Sequence, residues 1–296
     1  MGNDVSRKVQ DANVPDSSQN NSMEQKNSYG AIFSGKSDTP LYTFDVPWVL
    51  PDAVDLRTEN ASPYPEPWDQ GKTSSCTAFA AAAALLCTSR KDHRFPLWNP
   101  SPVFLYYYLA KKSSPGTPGR LNPSMEDSGA SLADAMAQLQ KGVAPLEDWS
   151  FAEPFNRTPL TWVQDNARKF RASPGHCVFL QQSLDQLKTA LAIGVSIALS
   201  FVVSDEGDLW MRSPDKQRES NFLYPASWGE QDLPRVKSAH SVLLVGYDSL
   251  PRHFIVRNSW GPTWGTGGHF YLGFDTVTKP FWCRDFCCVL ATAENS

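Results

Sequence analysis

No stretch of this 296-residue chain approaches the ~20 consecutive apolar residues needed to cross a bilayer as a helix. Charge of one sign is equally scarce. The net charge is −4 with no long run of like charges, which argues against nucleic acid or an anionic membrane as a partner. The first residues are polar and lack the apolar core of a secretory signal, so the expected location is the cytoplasm, or export without a leader, unless a leader has been trimmed. No internal repeat is present. Cysteine occurs six times, at 76, 87, 177, 283, 287 and 288. With Cys76 set aside as a reactive thiol, an odd number remains, which excludes a complete set of bridges. The run Cys283-Arg-Asp-Phe-Cys287-Cys288 lacks a second pair of ligands nearby, so neither a metal nor a cofactor is expected.

The chain does carry one ordered constellation. Gln70-Gly-Lys-Thr-Ser-Ser-Cys76-Thr-Ala-Phe-Ala80 is followed far downstream by Ser238-Ala-His240-Ser-Val and then by Val256-Arg-Asn258-Ser-Trp260-Gly. A thiol attacks only as thiolate. Ser74 and Ser75 are good N-cap residues and the alanine-rich run after them is a strong helix former, which puts Cys76 in the first turn of a helix, where the macrodipole favours a negative sulfur. His240, just before a short apolar run that reads as a buried strand, suits a general base that later returns a proton to the leaving amine. Asn258 can accept the other imidazole N–H and fix its tautomer, with Trp260 covering that bond. Gln70 is close enough in sequence for its amide to meet a developing oxyanion together with the Cys76 N–H. The alanines also make a thin helix that neighbours can approach from several sides.

These blocks, together with Leu50-Pro-Asp-Ala-Val-Asp55-Leu-Arg57, which is similar to a mature N-terminus, resemble the papain family of cysteine peptidases, in particular its bacterial members. The resemblance implies an α+β, papain-like two-lobed fold, with a cleft between a helical lobe and an antiparallel β-barrel lobe. It implies that Cys76 is the nucleophile, His240 the base and acid, Asn258 its orienter and Gln70 the oxyanion donor. It further implies that substrate backbone lies along a glycine-lined edge at Ser128, Gly129 and Ala130, with Trp260 as a candidate wall and Trp264 as either a wall or part of the core. Thr73-Ser74-Ser75-Cys76-Thr77 departs from the family's Cys-Gly-Ser-Cys-Trp. The chain therefore lacks one disulfide beside the site, and Thr77 replaces a large aromatic.

Residues 1–28 are polar and read as a disordered tail, within which Met1-Gly-Asn-Asp-Val-Ser6 matches the short N-myristoylation pattern. Residues 29–49 regain aromatics in a Gly/Pro-bearing segment too irregular for a helix, and read as a short propeptide-like strap. Residues 50–296 are the peptidase domain, mainly helical over 50–182 and mainly strand over 183–296. Helices are expected at 103–112 after Ser101-Pro102, at 132–141 before Gly142, and at 183–192. Strands are expected at 195–203, 241–245, 254–257 and 269–272. The stretch 205–235 reads as a long insertion before His240 that shapes specificity. The expected activity is peptide hydrolysis by a monomer acting on a peptide or protein. The alternatives are an amidase or acyl-transfer enzyme of the same fold, or an inactive peptide-binding protein.

Overall fold

The structure, a computed structural model, describes residues 28–34, 40–59, 65–92, 98–213 and 236–293. The N-terminal tail with its myristoylation pattern, and residues 214–235 of the insertion, lie outside these. Helix α1 spans Leu56–Glu59 and α2 spans Cys76–Lys91, followed by α3 (Pro102–Leu109), α4 (Leu132–Leu139) and α5 (Thr161–Ala167). Then come α6 (Leu184–Ala192), α7 (Asp205–Arg212) and α8 (Phe274–Val277). Alanine costs least to hold in a helix and adds least bulk. Helix α2 uses both properties: its run from Cys76 to Ser89 is buried all round, and it packs on α3, α4 and the strands.

The strands are β1 (Ala31–Ile32), β2 (Ala53–Asp55), β3 (Ala130–Ser131), β4 (Cys177–Phe179), β5 (Ile197–Ser204), β6 (Val236–Asp248), β7 (His253–Arg257), β8 (His269–Gly273) and β9 (Cys283–Val289). Seven of them form an antiparallel sheet in the order β4-β9-β5-β6-β7-β8, with β2 also on β6. Thus β2 and β4, from the stretch read as mainly helical, join the sheet. One apolar cluster lies between α2, α3 and α4; the other lies among the strands, with α6 against it. The fold is α+β, as the resemblance implied.

The sequence signals are obeyed locally with shorter spans. Ser101, Ser131 and Ser183 each accept a hydrogen bond from the backbone N–H three residues on, and so cap α3, α4 and α6. Helix α3 stops at Leu109 because Ala110 turns extended, and α4 stops at Leu139, before Gly142. Ser75 corrects the reading at α2. It occupies the N-cap position, but its hydroxyl bonds Thr73 Oγ1 at 2.6 Å and caps nothing. The cysteine-bearing run at 283–288 lies in strand β9, where apolar packing uses these thiols as small hydrophobes, and Cys76, Cys177, Cys283, Cys287 and Cys288 are in no disulfide.

Candidate active site

Cys76 opens α2, so the sulfur sits at the positive end of the helix, and both Cys76 and His240 are fully buried. His240 lies in β6, and Asn258 follows the last residue of β7. The hairpin between these strands brings the two together: His240 Nε2 meets Asn258 Oδ1 at 2.8 Å. Asn258 Oδ1 also accepts the Ser259 N–H at 2.8 Å, which fixes how its amide faces the ring. Among the described residues, His240 Nδ1 has no hydrogen-bond partner, which leaves it as the nitrogen for proton exchange. Trp260 lies 5.2 Å from the imidazole, centroid to centroid, and is itself buried.

Gln70 is tied to the turn after Asn258. Its N–H donates to Ser259 O at 2.8 Å, and its Oε1 accepts from Ser259 Oγ at 2.5 Å. This leaves Nε2 free to point towards the head of α2, where it donates to Thr73 O at 2.8 Å and to Ser28 O at 3.0 Å. The second contact is with the N-terminal segment. A carbonyl of residues 28–34 therefore occupies the amide expected to meet an oxyanion.

That segment runs through the cleft. β1 pairs in parallel with β3, Ala31 opposite Ala130, and Ala130 N–H donates to Gly30 O at 2.8 Å. Two glycines permit the approach. A Cβ on Gly30 would lie 1.9 Å from Ser74 O, and Gly129, at φ +75°, would put a Cβ 2.1 Å from Gly30 O. Tyr29 packs on His240 and Trp260 at 5.5 Å from each. Beyond Ala31 a cavity of about 760 Å³ opens, bounded by Phe33, Leu41, Asp134, Phe179 and Arg284, with Arg284 over the Phe33 ring at 5.0 Å.

Burial works against the expected electrostatics. The Cys76 thiol is pushed up by burial, although the N–H groups of Ser241 and Gly30 and both groups of Thr77 pull it back. His240 is pushed down to about 4, chiefly by burial; the Asn258 bond opposes this and the Arg212 charge adds to it. The helix start favours a thiolate, and burial opposes the charged form of both the thiol and the imidazole.

Of the other expected residues, Ser128 accepts the Lys111 N–H through its hydroxyl at 3.0 Å, and Gly129 donates to Tyr106 Oη at 3.1 Å. Trp264 is buried behind Trp260, 5.5 Å away, with Phe270 beside it and its Nε1 donating to Met211 O. It belongs to the core rather than to a wall. Sequence reasoning missed two supports. Asp127 accepts from Ser74 N–H at 2.9 Å and from Tyr106 Oη at 2.5 Å, tying the head of α2 through Tyr106 to Gly129. A buried hydroxyl chain, Thr77–Ser241–Ser200, lies beside the sulfur with links of 3.0 and 2.9 Å, and Ser241 N–H points at Cys76 Sγ at 3.5 Å. Only the replaced aromatic at Thr77 hinted at it.

Residues 220–280, which carry both His240 and Asn258, match the family described as papain family cysteine protease. Xylellain, a cysteine protease from Xylella fastidiosa, is 26% identical, and its crystal structure matches with a TM-score of 0.70 over 90% of this chain and 97% of that one. The chain is a papain-like cysteine peptidase. This peptidase is also 27% identical, over 72% of its length and 68% of the relative's, to an uncharacterized peptidase C1-like protein of Acanthamoeba polyphaga mimivirus. A procathepsin B from Trypanosoma congolense, at 17% identity and a TM-score of 0.60 over 82% of this chain and 80% of that one, shares the fold.

Proposed function

We propose that this peptidase hydrolyses peptide bonds through a Cys76 thioester and is held closed by its own residues 28–34. The bond between His240 Nε2 and Asn258 Oδ1, beside a sulfur at the head of α2, carries the reading. In the open enzyme, water returns to the cleft and the thiol can pass its proton to His240 Nδ1. The resulting thiolate is stabilised by the imidazolium, by the helix start and by the Ser241 N–H. The thiolate attacks the substrate carbonyl carbon. Gln70 Nε2 and the Cys76 N–H take the oxyanion, and His240 returns its proton to the leaving amine as the C–N bond breaks. Water then attacks the thioester with His240 as base, releasing the acid and restoring the thiol. Asn258 keeps the ring in register throughout.

Gly129 and Ala130 offer an edge for substrate backbone, since Ala130 already pairs with Gly30. Ser128 serves that edge by holding the Lys111 turn. Trp260 walls the His240 side. Residues 50–296 are the catalytic unit and 29–49 a strap, so the chain is made as a zymogen. The Ser28 carbonyl on the Gln70 amide, immediately ahead of the strap, supports this, and so does the fit of Gly30 under Ser74. A monomer suffices for the chemistry.

An iodoacetamide or epoxysuccinyl probe should modify Cys76 first once residues 1–46 are removed. The other thiols compete poorly, because burial pushes Cys177 up to about 12 and raises Cys283, Cys287 and Cys288 as well. Cys76→Ala should end the appearance of new amino termini from a denatured protein. Turnover that survives this substitution would remove Cys76 from its role.

A further inference from the structure

Helix α7, the first part of the long insertion, reaches back over the cleft. Tyr29 Oη donates to Asp208 Oδ1 at 2.7 Å. Arg212, one turn on, holds the same carboxylate oxygen through Nε at 2.6 Å, and its guanidinium stands 5.2 Å from the Tyr29 ring centroid. The Asp208 carboxylate is only 8% exposed. The slot is therefore walled by His240 and Trp260, covered by a guanidinium and ended by a buried carboxylate at phenol distance.

We propose that Asp208 and Arg212 form a recognition site for a tyrosine side chain on the leaving-group side of the scissile bond, and that Tyr29 fills it in this structure. The inference rests on the catalytic reading above. His240 hands its proton to the leaving amine, so the residue bearing that amine lies beside His240, where the Tyr29 ring is. An ionised carboxylate only accepts hydrogen bonds. Tyrosine supplies a second donor beside Arg212 Nε, phenylalanine supplies none, and a glutamate meets like charge. Arg212 adds a cation over the ring face. A site built to bond a hydroxyl rejects the analogue that lacks it far better than an apolar slot rejects an extra one.

The test uses the full chain carrying Tyr29→Ala and Gly30→Ala, which empties the slot and blocks the close approach to Ser74. Two peptides that differ only by Tyr or Phe immediately after the scissile bond are compared by kcat/KM. Tyrosine should be favoured by about 10- to 100-fold, as expected for a bond to a charged acceptor. Adding Asp208→Ala should erase the preference, so that the Tyr and Phe peptides are cut at equal rates. Asp208→Asn, which retains a neutral acceptor and guards against misfolding, should leave part of it. Equal rates before Asp208 is changed, or a preference that survives Asp208→Ala, would overturn the assignment. If neither peptide is cut, binding of the same pair to the chain with Cys76→Ala added, read by tryptophan fluorescence, decides. The same ratio supports the site and transfers the failure to the catalytic reading; equal binding, or none, removes the site.

Discussion

At Gln70 one amide has two uses. In the closed chain it donates to a ground-state carbonyl, that of Ser28; in turnover it would meet an oxyanion, where a donor counts for more because charge has developed. Gln70→Ala, made in the chain lacking residues 1–46, should therefore lower kcat by roughly 10²–10³ with little change in KM. A raised KM with kcat intact would make Gln70 a binding group instead. Thr77 shows what a residue-by-residue reading misses. Its place beside Cys76 was legible, but its hydroxyl partners Ser241 and Ala130 come from distant stretches, and no local pattern announces them.

Elements decide what the cleft admits. The two-residue β1 stays on β3 only because Gly30 has no side chain to meet the Ser74 carbonyl. Gly30→Ala in the intact chain should displace β1 and raise kcat/KM on small peptides towards the value for the chain lacking residues 1–46. An intact chain as slow as before would mean that β1 does not restrain the enzyme. Helices α3, α4 and α6 were readable because their caps lie next to them in sequence. The brief α5 has no capping side chain, and β9 is disguised by polar Arg284 and Asp285 amid its thiols, so neither showed. The positive φ at Asp285 is likewise a tertiary matter: its carboxylate accepts the Ser34 N–H across the cleft.

For the whole molecule, closure and proton binding are linked. His240 is held at about 4 in the closed form, below the ~6.5 of a free imidazole. Between those values an open form that keeps its Cys76 thiol binds a proton on His240 that the closed form does not, whereas forming the thiolate–imidazolium pair changes no proton count. Closure is thus fully favoured above about 6.5 and weakens as pH falls towards 4. The ratio of kcat/KM for the intact chain to that for the chain lacking residues 1–46 should be far below one at pH 7 and rise on acidification; dividing the two cancels the catalytic profile they share. A flat ratio would uncouple His240 from closure. A synthetic 29–46 peptide should compete with substrate for the shortened enzyme, since burying each aromatic it brings contributes about 1.5–3 kcal/mol. The order Gln70, Cys76, His240, Asn258 made the catalytic grouping legible in advance. The depth of its burial was not, because it depends on a strap whose aromatics look alike in sequence: Tyr29 and Phe33 pack inward, while Trp48 is wholly exposed.

Farther along the strap, Phe44 is gripped at both backbone groups: its N–H donates to Gln186 Oε1 at 2.6 Å, and its carbonyl accepts from Gln186 Nε2 at 2.9 Å. That clamp works as a leash. A strap that leaves the cleft but stays held at Phe44 can carry Gly30 no further than about 50 Å, the reach of some fourteen extended residues. Its local concentration then stays near millimolar however dilute the protein is. Opening alone is therefore a reversible excursion, insensitive to dilution, and it leaves no record once conditions revert. Only a cut in the chain ahead of Phe44 turns that excursion into a lasting change of state.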